Sequence, residues 1–193
     1  MDLPRLLAEF LAARSRVELA EARSTACAVL IPLLPVGKGY HLVYTLRSDD
    51  LPNHRGQVSF PGGKRSPQDR NLKATALREA TEETGIDASV VEVLGCLDDV
   101  YTMATDYVIT PFVGLLPRKC RFKPNPSEVA DLFTVSLDRL RDPRFQGTRN
   151  QSWKGTDYQL PAISAGPHTI WGATHNMTLN FLHCLEMALG DRA

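Results

Sequence analysis

The sequence predicts an α+β domain in which a mixed β-sheet is flanked by helices. Segments typical of strands and of helices follow one another without the regular alternation that builds a purely parallel sheet. The 193 residues are 43% apolar and 23% charged, which is typical of a globular protein. Because no repeat, linker or low-complexity tract divides the chain, we expect one domain over residues 1–193.

The elements are assigned in order from the spacing of apolar residues. Apolar residues at helical spacing predict an N-terminal helix over about residues 2–22 and a C-terminal helix over about residues 174–189. Residues 135–140 are predicted as a short helix, and 141–157 as a loop. The predicted strands are 26–34, 40–46, 57–60, 90–100, 107–116, 157–163 and 168–171.

Charge and cysteine content exclude several classes of partner. The charges of the 22 basic and 22 acidic residues cancel, so the net charge does not favour binding to nucleic acid or to an anionic membrane. The longest apolar run, residues 27–36, is too short to span a bilayer. The four cysteines lie far apart in the sequence and predict reduced thiols, so we expect a cytoplasmic protein.

The most informative segment is a predicted helix over residues 71–84 that ends at Gly85. Glu79, Glu82 and Glu83 are spaced three and four apart, so their carboxylates are expected to project to one side. Like charges at this spacing destabilise a helix by roughly 0.2–0.5 kcal/mol per pair, and the helix C-terminus is already negative. A solvated acidic face is one interpretation. A Mg²⁺ or Mn²⁺ site is the other, because these hard cations bind carboxylate oxygens.

The charges around this helix favour the metal site. Residues 79–99 hold seven acids and no Lys or Arg, whereas residues 47–73 hold six basic residues against three acids. Within the basic segment, the pair Gly62-Gly63 permits positive φ and lets backbone N–H groups approach a ligand closely. An acidic helix beside a basic, glycine-bearing loop is the combination that a metal–diphosphate site requires.

These residues resemble the Nudix hydrolase motif, G-x5-E-x7-R-E-U-x-E-E-x-G-U, in which U is apolar. Residues 78–86 match its second half at every fixed position. The first half differs in two ways. Asp69 stands where the motif has Glu, and eight residues instead of seven separate it from Arg78. The resemblance implies the Nudix fold, an α/β/α sandwich.

A second similarity lies upstream, in residues 45–48 and 56–63, which resemble the signature of coenzyme A pyrophosphatases. An Arg usually found four residues before Gly56 is Pro52 here, and Arg55 is the nearby cation that would replace it. The similarity covers roughly residues 25–185. It implies metal-dependent hydrolysis of coenzyme A, or of its derivatives, to adenosine 3′,5′-bisphosphate and 4′-phosphopantetheine.

The resemblance also implies residue roles. Glu79 and Glu83 would bind Mg²⁺ or Mn²⁺, with Glu82 as a third ligand or bound through water, and Arg78 would orient a glutamate. The general base is either Glu82 or Glu128. The expected substrate-binding residues are Arg47, Arg55, Gln57, Phe60, Gly62 and Gly63.

Several alternatives stay open at this point. Phe60 is equally consistent with the core, Tyr101 and Tyr107 with a pocket or with packing, and Trp171 is interpreted as a core residue. The substrate could be another nucleoside diphosphate derivative, namely a nucleotide sugar, a dinucleoside polyphosphate or an oxidised nucleotide. A non-catalytic nucleotide-sensing module is a further alternative, which the three retained glutamates disfavour. We expect a small-molecule substrate, with a homodimer as an open question.

Overall fold

The computed structural model describes residues 2–19, 24–51, 54–153 and 155–190. Pro52, at the departure from the upstream signature, lies outside these residues. The helices are α1 Leu3–Ala13, α2 Leu72–Thr84, α3 Leu137–Arg141 and α4 Gly172–Gly190. The strands are β1 Thr25–Val36, β2 Gly39–Arg47, β3 Val58–Ser59, β4 Gly62–Lys64, β5 Glu92–Cys96, β6 Val100–Thr102, β7 Tyr107–Leu115, β8 Val129–Ser136, β9 Gln146–Trp153, β10 Thr156–Ala165 and β11 His168–Trp171.

The main sheet is mixed, as predicted. Its central pair, β1 and β7, is parallel, with Thr25 opposite Tyr107 and Leu33 opposite Leu115. The strand order is β3-β2-β1-β7-β5, and β4, β6 and β8 pair with β1, β7 and β2. Every pairing other than β1–β7 among these described strands is antiparallel.

Helices cover both faces of this sheet. On β2, Leu42 and Tyr44 belong to the core that also contains Leu7 of α1 and Phe181 of α4. Val43, which points to the opposite face, packs in a second cluster with Ile86, just beyond α2. Burial on both faces explains why β1 reads as a continuous apolar run. The α+β architecture, with a mixed sheet between helices, is confirmed.

The loop predicted at residues 141–157 is wrong. Residues 146–153 form β9, which pairs with β10 from Gln146–Ile163 to Trp153–Thr156, and β11 completes a three-stranded antiparallel sheet. The sequence of β9 is polar and does not alternate, so no local signal predicts it. Its backbone groups are satisfied instead by pairing with β10.

Other elements also differ from the predictions, and β4 and β8 were not predicted as strands. The N-terminal helix ends at Ala13 instead of continuing to residue 22, and residues 20–23 lie outside the described part of the chain. The segment after it is held by Asp98, which accepts from the Arg14 side chain at 3.0 Å and from the Val17 amide at 2.8 Å. The predicted helix 135–140 is wrong at its start, because β8 continues to Ser136. The predicted strand 90–100 is divided into β5 and β6.

Helix α2 has the ends that its sequence predicts. The Asn71 side chain accepts a hydrogen bond from the Ala74 amide at 2.9 Å, which caps the N-terminus. Gly85 caps the C-terminus with φ of 70°, a conformation that favours glycine. The helix packs on β1, β4 and β7, so its last turns lie against the Gly62–Lys64 strand. Within the described residues, no helix is long and apolar enough to cross a membrane.

Candidate active site

Glu83 lies buried between α2 and β4. It is 3% exposed, its Oε2 accepts from the Gly62 amide at 3.2 Å, and its Oε1 lies 3.6 Å from Nη1 of Arg47. Burial raises the pKa of Glu83 to about 8, although Arg47 and the Gly62 amide oppose this rise. The charges of Glu79 and Glu128 raise it further. The Arg47 charge and the Gly62 hydrogen bond therefore do not offset the effect of burial and of the neighbouring carboxylates on Glu83.

The paired glycines are required for the space they leave, and not for the positive φ that they permit. Neither Gly62 nor Gly63 has a positive φ. A Cβ on Gly62 would lie 2.4 Å from the carbonyl oxygen of Ala28 on β1. A Cβ on Gly63 would lie 2.6 Å from the carboxylate of Glu79. Glu79 and Glu83 therefore face the same two residues of β4. The Gly62 amide donates its hydrogen bond to Glu83, so it is not free to bind a ligand.

Arg78 connects the loop before α2 to the carboxylates. Its Nε and Nη2 each donate to the Asp69 carboxylate at 2.9 Å, and its Nη1 lies 2.9 Å from both Glu79 and Glu82. The hydrogen bonds from Arg78, together with the Ser66 amide, hold the pKa of Asp69 well below its usual range. Asp69, to which the resemblance assigned no role because of the inserted residue, thus positions Arg78.

Glu82 is placed differently from its two neighbours. Its side chain is 53% exposed and pairs with Arg78, whose Nη1 also lies 2.9 Å from Glu79. The described residues contain no group of three or more acidic, His or Cys side chains arranged to hold a metal ion. Glu79 and Glu83 thus face Gly62 and Gly63 of β4, whereas Glu82 meets Glu79 at the Arg78 guanidinium.

Glu128 approaches this pair from the turn before β8. The turn is fastened to the end of α2, because the Asn125 amide donates to the Glu83 carbonyl at 2.9 Å. The Asn125 side chain then donates to Glu128 Oε1 at 3.1 Å. The negative charge of Glu128 raises the pKa of Glu79 as well as that of Glu83, after the larger effect of burial. The fold brings together three carboxylates that are up to 49 positions apart in sequence, from Glu79 to Glu128.

A cavity of about 780 Å³ opens beside Gly62 and Gly63. Arg47 and Gln57 line it, as the sequence predicts for substrate-binding residues. Phe60 also lines it, but its ring is 1% exposed and stacks on Tyr44 with centroids 4.7 Å apart, so its main contribution is to the core.

Arg55 is not among the residues that line this cavity. Its Nε donates to the Leu51 carbonyl at 2.6 Å, and the side chain is exposed. The structure therefore does not place Arg55 beside the carboxylates, whereas Arg47 contacts Glu83 directly.

The second sheet supplies a cavity wall that the sequence did not predict. Tyr158 and Leu160 of β10 line the cavity, together with Trp171. The prediction that Trp171 is a core residue is wrong, since it is only partly buried, with the Arg149 guanidinium 4.7 Å from its ring centroid. Tyr101 and Tyr107, which the sequence left open, line the same cavity. No local pattern reveals this wall because it depends on pairing between distant strands.

The paired carboxylates fit a divalent cation. Magnesium commonly binds through one or two carboxylates and completes its shell with water and substrate phosphates. Glu79 and Glu83 offer hard oxygen ligands against Gly63 and Gly62, which line the cavity, and burial raises the pKa of Glu83 despite the nearby Arg47. The residues present therefore suit Mg²⁺ or Mn²⁺ without a preformed cage of three side chains.

Comparison with known proteins identifies the family. A family profile described as the NUDIX domain matches residues 25–153. The mitochondrial coenzyme A diphosphatase NUDT8 of Mus musculus is 38% identical over 171 residues, which cover 87% of this chain and 81% of that protein. The peroxisomal coenzyme A diphosphatase NUDT7 of Mus musculus is 41% identical over 135 residues. The match covers 70% of this chain but only 57% of the length of NUDT7.

Solved structures agree on the fold. The MutT/nudix family protein from Enterococcus faecalis superposes with a TM-score of 0.57 at 14% sequence identity, covering 95% of this chain and 74% of that one. At this identity the likeness concerns the fold alone. Since the family profile spans most of the chain and includes the Arg78–Ile86 motif, this protein belongs to the Nudix family.

Proposed function

We propose that this protein is a coenzyme A diphosphatase, which hydrolyses the pyrophosphate bond of coenzyme A or its derivatives to adenosine 3′,5′-bisphosphate and 4′-phosphopantetheine. The observation that carries the proposal is the pair Glu79 and Glu83, held against Gly62-Gly63 at the edge of a large cavity. The names of the relatives NUDT7 and NUDT8 support this choice of substrate.

The proposed metal ligands are Glu79 and Glu83, with Glu82 acting through water from its exposed position. A bound Mg²⁺ or Mn²⁺ supplies charge neutralisation of the diphosphate and lowers the pKa of a coordinated water. Arg78 keeps Glu79 in place, because its guanidinium is itself fixed by two hydrogen bonds to Asp69. Arg78 thus acts as a positioning residue.

Glu128 is the proposed general base. It approaches Glu79 and Glu83 from a different element and is held there by Asn125. Glu82, the other candidate, is 53% exposed and already paired with Arg78. A carboxylate beside the metal ligands is suited to accept the proton of the attacking water.

The distribution of charge in the cavity suits the two ends of coenzyme A. Among the lining residues of the described chain, the cationic or titratable nitrogen groups are Arg47 at the end of β2, His54 in the following loop and Lys64 of β4. The described lining residues of 101–109 and 151–177, which include Met103 and Trp171, carry no charged side chain. We assign the diphosphate to the first region and the adenine or pantetheine group to the second, since aromatic and apolar walls bind such groups.

Product analysis tests the proposal. After incubation of coenzyme A with Mg²⁺ in ¹⁸O-water, mass spectrometry should find adenosine 3′,5′-bisphosphate and phosphopantetheine, with one ¹⁸O in one of the two. The same preparation should give a higher kcat/KM for coenzyme A than for ADP-ribose or an oxidised dGTP. An equal or inverted preference would select the alternative, a Nudix pyrophosphatase for another nucleoside diphosphate derivative. Absence of turnover with retained nucleotide binding would select a sensing module.

The cellular location stays a prediction. A cytoplasmic location was predicted because the widely spaced cysteines are expected to be reduced. The names of the relatives place NUDT7 in the peroxisome and NUDT8 in the mitochondrion. Fractionation of cells that express the native chain would decide between these compartments.

A further inference from the structure

The basic segment of residues 47–73 is divided between two cavities. Arg47 and Lys64 line the cavity described above. Three more of its basic residues face a second cavity, of about 550 Å³, which the proposed reaction does not use. The cationic residues that line the second cavity are Arg16, Arg65, Arg70 and Lys73.

The second cavity lies on the other face of the main sheet. On β7, Tyr107 and Ile109 line the first cavity, whereas Thr110 and Phe112 line the second. Alternate residues of a strand point to opposite faces of its sheet. The second cavity is therefore separate from the first and lies beside the start of α2.

Its positive charge is not balanced by acidic residues. Arg16 is neutralised, because it pairs with Asp99 at 2.8 Å and with Glu18 at 3.2 Å. Arg65 donates its Nη2 only to the uncharged carbonyl of Asp69, at 3.4 Å. Arg70 and Lys73 form no ion pair among the residues that the structure describes.

Three exposed cations thus line one cavity, and none of them forms an ion pair among the described residues. A bound anion would meet three positive charges that no carboxylate pairs with there. Arg65 and Arg70 offer planar guanidinium donors, and Lys73 offers an ammonium group within the first turn of α2, where the helix dipole also favours negative charge. This donor set suits the several oxygens of a phosphate group better than a single carboxylate.

The volume and the apolar lining of the second cavity indicate a small ligand. Its volume lies within the range of roughly 300–1,000 Å³ that is common for small-molecule sites. Phe112 and Leu72 add apolar surface to the lining. A nucleic acid would need a longer basic track, and the chain as a whole has no net charge.

We propose that this second cavity binds the phosphate group of a small phosphorylated molecule, through Arg65, Arg70 and Lys73. The site is separate from the first cavity, because the two lie on opposite faces of the sheet, and none of its three cations pairs with Glu79 or Glu83 among the described residues.

Backbone NMR of the full chain tests this site. Inorganic pyrophosphate and adenosine 3′,5′-bisphosphate are titrated separately in buffer that contains EDTA, so that no metal supports binding beside Glu79 and Glu83. Both probes, or either one, should shift the amides of residues 65 and 70–73 with saturation. Saturation by pyrophosphate alone identifies free phosphate as the ligand, and saturation by the bisphosphate alone identifies a phosphate ester.

Matched variants separate the site from general charge. Arg70→Ala/Lys73→Ala should weaken binding at least tenfold, and Arg70→Lys/Lys73→Arg should restore it. Lys38→Ala/Lys119→Ala removes two exposed cations from other turns and should leave binding unchanged. All these variants should keep the wild-type melting temperature and the wild-type rate of coenzyme A hydrolysis, since none touches Glu79 or Glu83. Shifts that do not saturate, or that are equal in the wild type and Arg70→Ala/Lys73→Ala, would overturn the proposal.

Discussion

The contact between Gly63 and Glu79 gives the sharpest prediction about catalysis. In Gly63→Ala, the new Cβ would lie 2.6 Å from the Glu79 carboxylate, whereas ordinary contacts begin at 3.4 Å. The carboxylate must therefore retreat by about 0.8 Å. A misplacement of about 1 Å in an active site can lower the rate by roughly 100-fold. We expect kcat to fall by this factor, which corresponds to about 2.7 kcal/mol of activation free energy.

The fold should tolerate this change. The nearest atoms to the new Cβ belong to the end of a flexible glutamate side chain, and Gly63 has no positive φ. The free energy of unfolding should therefore change by less than about 1 kcal/mol. Gly62→Ala is the matched control, because its Cβ would lie 2.4 Å from the backbone of Ala28. Overpacking of that kind typically costs about 1–3 kcal/mol of stability.

Two assays on both variants give the comparison. Steady-state hydrolysis of coenzyme A over a range of Mg²⁺ concentrations reports kcat and the metal requirement, and thermal unfolding reports stability. Gly63→Ala should lose activity, require more metal and keep its melting temperature, whereas Gly62→Ala should melt several degrees earlier. Wild-type kcat and metal dependence in Gly63→Ala would refute the assigned role of Glu79.

Three further predictions concern the surroundings of the pair. Because Arg78 holds the pKa of Asp69 below that of an unfolded aspartate, about 3.9, Asp69 stabilises the fold above that pH, and this contribution is lost as pH falls. Asp69→Asn should therefore lower the free energy of unfolding at neutral pH and make it fall less steeply as the pH is lowered. Chemical denaturation at several pH values measures both effects, and a decline in acid equal to that of the wild type would contradict the role of the Arg78–Asp69 contact. Glu128→Gln should lower kcat by roughly 10²–10⁴-fold with an unchanged melting temperature, and a rate near that of the wild type would exclude it as the base. Gly85→Ala should destabilise the fold by more than about 1 kcal/mol, because φ is 70° and the new Cβ would lie 2.9 Å from Lys123; calorimetry that shows equal stability would contradict this.

The catalytic helix could be predicted from sequence because its signals are local. The apolar spacing of α2 and its Gly85 cap lie within one segment and have the predicted roles, whereas Asn71, predicted as the first helical residue, is the N-cap. The acidic residues at the end of α2 were recognised from the same segment. Their separation into a buried pair and an exposed Glu82 was not predicted, because it depends on the position of β4 and on Arg78.

The remaining features depend on contacts between distant segments. The polar strand β9 exists because β10 pairs with it, and Tyr158 and Trp171 reach the cavity through that second sheet. The role of Asp69 was hidden by the extra residue in the motif, although its carboxylate reaches Arg78 across that insertion. The basic residues of segment 47–73 are divided between two cavities because alternate residues of a strand point to opposite faces of the sheet. This division could not be predicted without the positions of β4 and β7.

Direct measurement of metal binding tests the central claim that Glu79 and Glu83 together hold the cation. Titration of the protein with Mn²⁺, followed by electron paramagnetic resonance, reports the free and bound ion without turnover. We predict that Glu79→Gln and Glu83→Gln each weaken Mn²⁺ binding by at least about tenfold. A loss of this size is typical even when a residue that only hydrogen-bonds to a metal ligand is replaced. Glu92→Gln, at an exposed position on β5, should bind as the wild type does. Wild-type affinity in both Glu79→Gln and Glu83→Gln would contradict the claim.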